Sequence, residues 1–216
     1  MNYAELVTAV SDYCENNFPT ADMNIMIRQA EQRIYNTVQL ANLRKNVTGS
    51  LTQNNKYLSA PSDFLSVYSI AVVDADGEYK YLLNKDVNFI REAYPKPTNT
   101  GLPKHYAIFG PRSDDVNELS FIVGPTPDAA YNVELHYYYY PESIVTANTT
   151  WLGDNFDSVL LNATIYEAAI YMRMESDMVA LAKDRYVQSV ALLKNLGDGK
   201  QRMDAYRDGQ VRVQVS

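Results

Sequence analysis

FDSVLLNATIYEAAIYMRMESDMVALAKDRYVQSVALLKNL, residues 156–196, is the stretch whose reading decides the fold. Phe156, Leu160, Ala163, Glu167, Ile170 and Met174 recur at steps of three and four, with Val159, Tyr166 and Ala169 beside them, which predicts a helix with one largely apolar face. A second helix follows through Val179, Ala182, Tyr186, Val190, Leu193 and Leu196, after polar turn residues Glu175, Ser176 and Asp177. Gly197 stands where a left-handed helix stop is expected, because glycine takes positive φ without a Cβ clash. Isolated helices of this length are marginal in water, so both apolar faces must be buried against each other and against the rest of the chain.

The opposite end of the chain offers partners. Tyr3, Leu6, Val7, Val10 and Tyr13 predict a short amphipathic helix ended before Pro19, and Thr20 or Asp22 can cap a second helix. In that second helix Met23, Ile27, Ala30, Ile34 and Val38 repeat at helical spacing.

Between the helical ends the period changes to two. Val47, Gly49 and Leu51 alternate with polar residues, Asn54-Asn55 can turn the chain, and Tyr57-Leu58 returns, which predicts a hairpin. Residues 64–73 and 79–83 flank Asp74-Ala75-Asp76-Gly77 as a second hairpin, and Asp86 caps one or two turns of helix stopped by Pro95. Strands are expected over 105–109, 119–123 and 133–140. The last carries Val133, Leu135, Tyr137 and Tyr139 on one face and Glu134, His136, Tyr138 and Tyr140 on the other, which reads as a strand covered on both sides. A loop through Trp151 leads back to the helices. The fold class is α+β: N- and C-terminal helices packed as a four-helix bundle, with an inserted antiparallel β body of about seven strands and an extended C-terminal tail. The expected boundaries are 1–43 and 151–197 for the bundle, 44–150 for the β body and 198–216 for the tail.

That tail has three nearby glycines, Gly197, Gly199 and Gly209, and ends in the strict alternation Val211-Arg212-Val213-Gln214-Val215. It cannot fold alone; it is either a frayed end or a strand that pairs with a sheet edge elsewhere, and the alternation on a glycine-rich leash favours the strand.

Composition excludes more than it identifies. A chain that is 46% hydrophobic and 21% charged can bury a real core. A net charge of −7 opposes a sequence-independent grip on phosphate backbones, which needs clustered Lys and Arg. Cys14 is the only cysteine, so no internal disulfide forms and a reducing compartment is expected. There is no basic n-region and no apolar run long enough to span a bilayer, so neither secretion nor membrane insertion is expected. The 18 tyrosines suit either an interface or a β-rich core with satisfied polar tips; Tyr138, Tyr140 and Trp151 are the interface candidates. His105 and His136 are the only histidines and lie in predicted strands, outside any nucleophile–base motif. Asp74-Ala75-Asp76-Gly77 lacks the further ligands of a calcium loop and reads as a turn. No catalytic residue, metal or cofactor is assigned.

Taken in order, MNIMIRQAEQRIY (23–35), LPKHYAIFG (102–110), GPTP (124–127), LHYYYYP (135–141) and LLNATIYEAA (160–169) resemble the head-to-tail adaptor proteins of short-tailed phages, also called tail tubular protein A or gateway proteins. The resemblance spans residues 3–196 and does not extend position by position past Gly197. It implies a structural virion protein without catalysis, assembled in the host cytoplasm. It implies a homo-oligomeric ring of about twelve copies below the portal, closed by heterologous contacts. The portal, the tail nozzle protein and tail fibres are its implied partners, and genomic DNA passes through its channel without specific binding. An acidic chain suits such a channel. Tyr206, Arg207, Val211, Arg212, Val213 and Val215 are then the segment expected to dock on the portal or a neighbour. The alternatives are a carbohydrate-binding or carbohydrate-degrading virion component that uses the tyrosine-rich strands as a stacking platform, and an unrelated soluble α+β domain.

Overall fold

The computed structural model describes residues 1–38, 40–110 and 119–201. Its elements begin with α1 (Tyr3–Cys14), α2 (Thr20–Thr37), β1 (Arg44–Ser50), β2 (Tyr57–Ser59), β3 (Ser66–Val73), β4 (Tyr79–Tyr81), β5 (Leu83–Asn84) and α3 (Val87–Ala93). They continue with β6 (His105–Gly110), β7 (Ser120–Gly124), β8 (Asn132–Tyr138), α4 (Ile144–Ala147), α5 (Trp151–Asn155), α6 (Asp157–Tyr171) and α7 (Ser176–Gln201). The chain divides into two compact units, one built from Met1–Ala41 and the chain from Pro141 onward, the other from Asn42–Tyr140.

In the helical unit α6 is the shared partner: α1, α2 and α7 each pack on it. Ala163, Ala168 and Ala169 let neighbouring backbones approach, and Leu6, Ile27, Ala30, Ile34, Leu160 and Leu193 are buried around them. What the structure shows is therefore narrower than a four-helix bundle. Helix α1 opens on a reciprocal capping box, Glu5 N–H to Asn2 Oδ1 at 3.0 Å and Asn2 N–H to Glu5 Oε2 at 2.9 Å. It ends at Glu15 in the left-handed region with φ 49°, several residues before Pro19.

Four sequence expectations change here. Neither Thr20 nor Asp22 caps α2; Thr20 is its first helical residue, Pro19 precedes it, and no side chain caps the end. The apolar face of α6 departs from the expected stripe at Ile170, which is exposed beside the turn into α7. That turn uses Arg173 at φ 53° for its left-handed position. Helix α7 does not stop at Gly197 but continues to Gln201, because glycine permits a left-handed stop without enforcing one and costs a helix interior only about 1 kcal/mol. The loop expected through Trp151 holds α4 and α5, each capped by a hydroxyl, Ser143 and Thr150.

The β unit contains two four-stranded sheets, ordered β1-β8-β3-β4 and β2-β7-β6-β5. Their facing side chains form one core, with Ile70, Val72, Val133, Leu135 and Tyr137 from the first sheet meeting Tyr106, Phe121 and Val123 from the second. Behind the second sheet Ile122 and Ala107 pack on Ile90 of α3, so β7 is buried on both faces. The α3 cap is as expected, with Asn88 N–H donating to Asp86 Oδ1 at 2.7 Å.

The hairpin between β3 and β4 forms as read, with Gly77 at φ 83° and Asp74 Oδ1 accepting from the N–H groups of Asp76 and Glu78. The hairpin expected around Asn54-Asn55 does not. β1 pairs with β8 and β2 with β7, because Leu51 drops into the core and the following turn carries the chain from one sheet to the other. Among the described residues the strand pairs of the β unit are antiparallel except for β5–β6, which is parallel, as is the isolated bridge between Thr100 and Thr126. β8 is flanked at both edges, by β1 and β3, but its Glu134, His136 and Tyr138 face is only half-buried, so the coverage inferred from tyrosines on both faces is edge coverage.

Candidate interaction surfaces

Among the described residues of the β unit, no helix packs on the outer face of the first sheet as α3 packs on the second. Register places Arg44, Tyr138 and Ser66 in one row, Asn46, His136 and Ser69 in the next, then Thr48, Glu134, Ala71 and Tyr81. A final row holds Ser50, Asn132, Val73 and Tyr79. A register shift between Val67 and Ser69 leaves Tyr68 as the extra residue of a bulge beside this face. Its ring meets His136 edge-on with centroids 4.8 Å apart and Tyr138 at 5.9 Å, and the Arg44 guanidinium lies 4.6 Å from its centroid. Toward β4 the Asn46 amide donates to Glu134 Oε1. The Glu134 carboxylate also accepts from the Tyr79 hydroxyl, which holds that phenol above its ordinary range. The result is a shallow trough lined by Asn46, Ser69, Tyr79, Tyr81, Glu134 and His136, with Tyr81 67% exposed.

A second surface lies in the helical unit. Tyr13 and Cys14 of α1, Ile165 and Ala169 of α6, Met174, and Met178 and Leu181 of α7 line a groove of largely apolar character. Tyr13, Met178 and Leu181 are at least half exposed, and Ile170 and Tyr171 add exposed apolar area on α6. Single exposed apolar residues are ordinary, but a contiguous patch of this kind marks a contact surface.

The expected docking residues Tyr206, Arg207, Val211, Arg212, Val213 and Val215 lie outside the described residues. Tyr138 ends β8 in the aromatic cluster of the open face, and Tyr140 follows it, partly exposed. Trp151 opens α5 in the helical unit, against Phe156 at 5.8 Å. Tyr138 and Tyr140 thus belong to the β unit and Trp151 to the helical unit. Residues that sequence reasoning did not collect, Asn46, Tyr68, Tyr79 and Glu134, meet instead; their alternation was visible, but the strand order that joins them was not. His105 is structural, its Nδ1 3.0 Å from the Tyr94 hydroxyl and its ring against Phe89, and burial followed by the Lys85 and Lys104 charges pushes its pKa down. Among the described residues no three His, Cys, Asp or Glu side chains converge as a metal site, and no helix is long and apolar enough to cross a membrane.

Two surfaces suited to holding other macromolecules, one aromatic and polar, the other apolar and helical, define a binding or assembly protein. Residues 1–214 match the family described as SU10 adaptor protein, and the chain belongs to that family. It is accordingly a phage structural adaptor, a virion component that associates with other head–tail proteins. The match removes the unrelated-domain alternative. No curated protein matches the chain.

Proposed function

We propose that this adaptor assembles as a ring of about twelve copies that joins the portal to the tail nozzle and surrounds the path of the exiting DNA. The observation that carries this reading is the apolar groove of α1, α6 and α7 in a chain whose family is one of adaptors. Such a groove is suited to burial by the helices of a neighbouring subunit, in the manner of a bundle completed between copies. The open face of the first sheet then remains for the nozzle protein or fibres. The net charge of −7 supports passage of DNA without capture.

The test is the native mass of the protein by light scattering on a sizing column, alone and mixed with its portal. A ring in either sample supports the proposal. A monomer in both, at concentrations where subunits of such assemblies associate, overturns it. A second reading, glycan binding on the open face, draws on the exposed Tyr79 and Tyr81 rings beside the Asn46–Glu134 pair. Saturable binding of surface glycans, abolished by Tyr81→Ala, distinguishes it.

A further inference from the structure

We infer that the outer edge of β1 receives residues 211–215 of a second copy of this chain as an added strand. The inference rests on the self-assembly proposed above and names a contact within it.

The first observation is the edge itself. β1 is an edge strand of seven residues, whereas the other edge strands β4, β2 and β5 have three, three and two. Among the described residues, the backbone of Asn46–Ser50 has hydrogen-bonding partners only in β8. A long edge of unpaired N–H and C=O groups is a template for another strand.

Edges of this length are ordinarily guarded by charge. Here both guards are drawn away. Lys45 is held by Asp63 at 2.9 Å and lies over the Tyr139 ring, and Arg44 lies over Tyr68. What remains, Asn46-Val47-Thr48-Gly49-Ser50, carries no charge and has the same length as Val211-Arg212-Val213-Gln214-Val215.

The side-chain pattern also matches. Register puts Val47 and Gly49 on the core-facing side of β1, opposite Leu135 and Val133, and Asn46 and Thr48 on the outer side with Glu134. A Cβ placed on Gly49 meets nothing within 4 Å, so that side has room. A strand laid along the edge with Val211, Val213 and Val215 toward the core would extend the apolar layer. The same orientation turns Arg212 and Gln214 toward the outer face, where the Glu134 carboxylate offers a charge partner. The nine residues 202–210 can span up to about 30 Å, enough to leave one copy and reach the next. A strand given by each copy and taken by its neighbour is a heterologous contact, the kind that closes rings.

The test uses the full chain with Cys14→Ala as background. A tagged Thr48→Cys chain is mixed in turn with untagged chains carrying one cysteine at 211, 212, 213, 214 or 215 and gently oxidised. Mixed disulfides are expected several-fold more at 212 and 214 than at 211, 213 and 215, since alternate residues of a strand face opposite ways. Uniform linking, preferential linking of the valine positions, or no linking overturns the inference. So does a bond that forms only when both cysteines share one chain, which would return the strand to its own sheet. Native mass is read in the same samples: a ring without the bond removes this contact and leaves the adaptor ring standing, whereas a monomer without it removes both.

Discussion

The Tyr137 hydroxyl donates a hydrogen bond of 2.7 Å to Asp63 Oδ1, while the other oxygen of that carboxylate takes the Lys45 ammonium at 2.9 Å. Tyr137 is fully buried in the core between the sheets, on the central strand β8, and its polar tip therefore pins the turn before β3 and the edge strand β1 to one point. Burial would raise the Asp63 carboxyl, but the hydrogen bonds from Lys45 and Tyr137 outweigh it and hold the group below the usual carboxylate range.

Burial, with the Asp63 hydrogen bond second, pushes the Tyr137 phenol from 10.0 up to about 12. The folded state thus keeps a proton that the unfolded chain gives up earlier. The stabilisation is complete below pH 10 and is lost as pH rises through about 12. Tyr137→Phe keeps the ring packing and removes the hydroxyl, at an expected cost of about 1 kcal/mol at pH 7. Urea unfolding followed by circular dichroism should show the difference between variant and parent shrinking across that alkaline window. A constant difference across it would show that the hydroxyl is not linked to stability in this way.

Glu31 offers a second titration experiment, on a carboxyl group of the helical unit. Its side chain is 3% exposed, and its Oε1 accepts the Ile144 N–H at 2.9 Å, tying α2 to the start of α4. Burial raises its pKa above 4.5, more than the Ile144 and Ser143 hydrogen bonds and the Arg28 charge lower it. The folded state binds this proton more tightly, so the contribution is full below 4.5 and is lost as pH rises through the folded value. Glu31→Gln retains an acceptor and removes the buried charge. A gain of about 1 kcal/mol at pH 7, falling away toward pH 4, is expected in thermal melts. An equal loss at both pH values would show that the carboxyl group is needed whatever its charge.

The chain's periodicities gave access to most of its elements but not to their pairing. Helical spacing located α1, α2, α6 and α7, since each buries a stripe that repeats every three or four residues. Asp74–Gly77 and Asp86 were legible because turn and cap chemistry is local. The partners of β1 and β2 were not: Asn54-Asn55 has the residues of a hairpin turn, and only the burial of Leu51 between the sheets sends the strands apart. The open face is illegible for the same reason, since Asn46 and Glu134 are 88 positions apart and meet only once β1 lies beside β8. Gly197 misled because a residue's permission to end a helix is not a force that ends it.

Gly124 shows a constraint that the sequence did signal, through the turn-rich GPTP run, without giving its cause. A Cβ there would stand 2.5 Å from Cδ2 of Tyr94 and 2.7 Å from its Cε2, with Ile90 at 3.0 Å, all brought by α3 and the residue that follows it. The Tyr94 ring has little freedom to retreat, because its hydroxyl is bonded to His105. Gly124→Ala is therefore expected to cost about 1–3 kcal/mol by overpacking. Tyr94→Ala introduced with it should recover part of that loss, and a double-mutant cycle in urea measures the coupling. Strict additivity of the two changes would place the clash elsewhere.

The groove of the helical unit carries the prediction closest to function. Met178 and Leu181 stand on the first two turns of α7, each about half exposed, so charge placed there meets solvent in the separate subunit. Met178→Asp lies near the helix N-terminus, where a negative charge is favoured, and exposed substitutions of this kind stay within about 0.5 kcal/mol of the parent. The double variant Met178→Asp, Leu181→Asp should keep its helicity and melting temperature. In a ring that buries this groove, however, two carboxylates would be desolvated against apolar side chains, at a cost of several kcal/mol per interface that the Arg185 guanidinium in the groove lining offsets only in part. Light scattering should then report a subunit-sized species where the parent forms a ring. A ring of unchanged mass from a fully folded double variant would show that subunits meet through another face, and the open sheet with Tyr68, Tyr79 and Glu134 would be the next surface to disrupt.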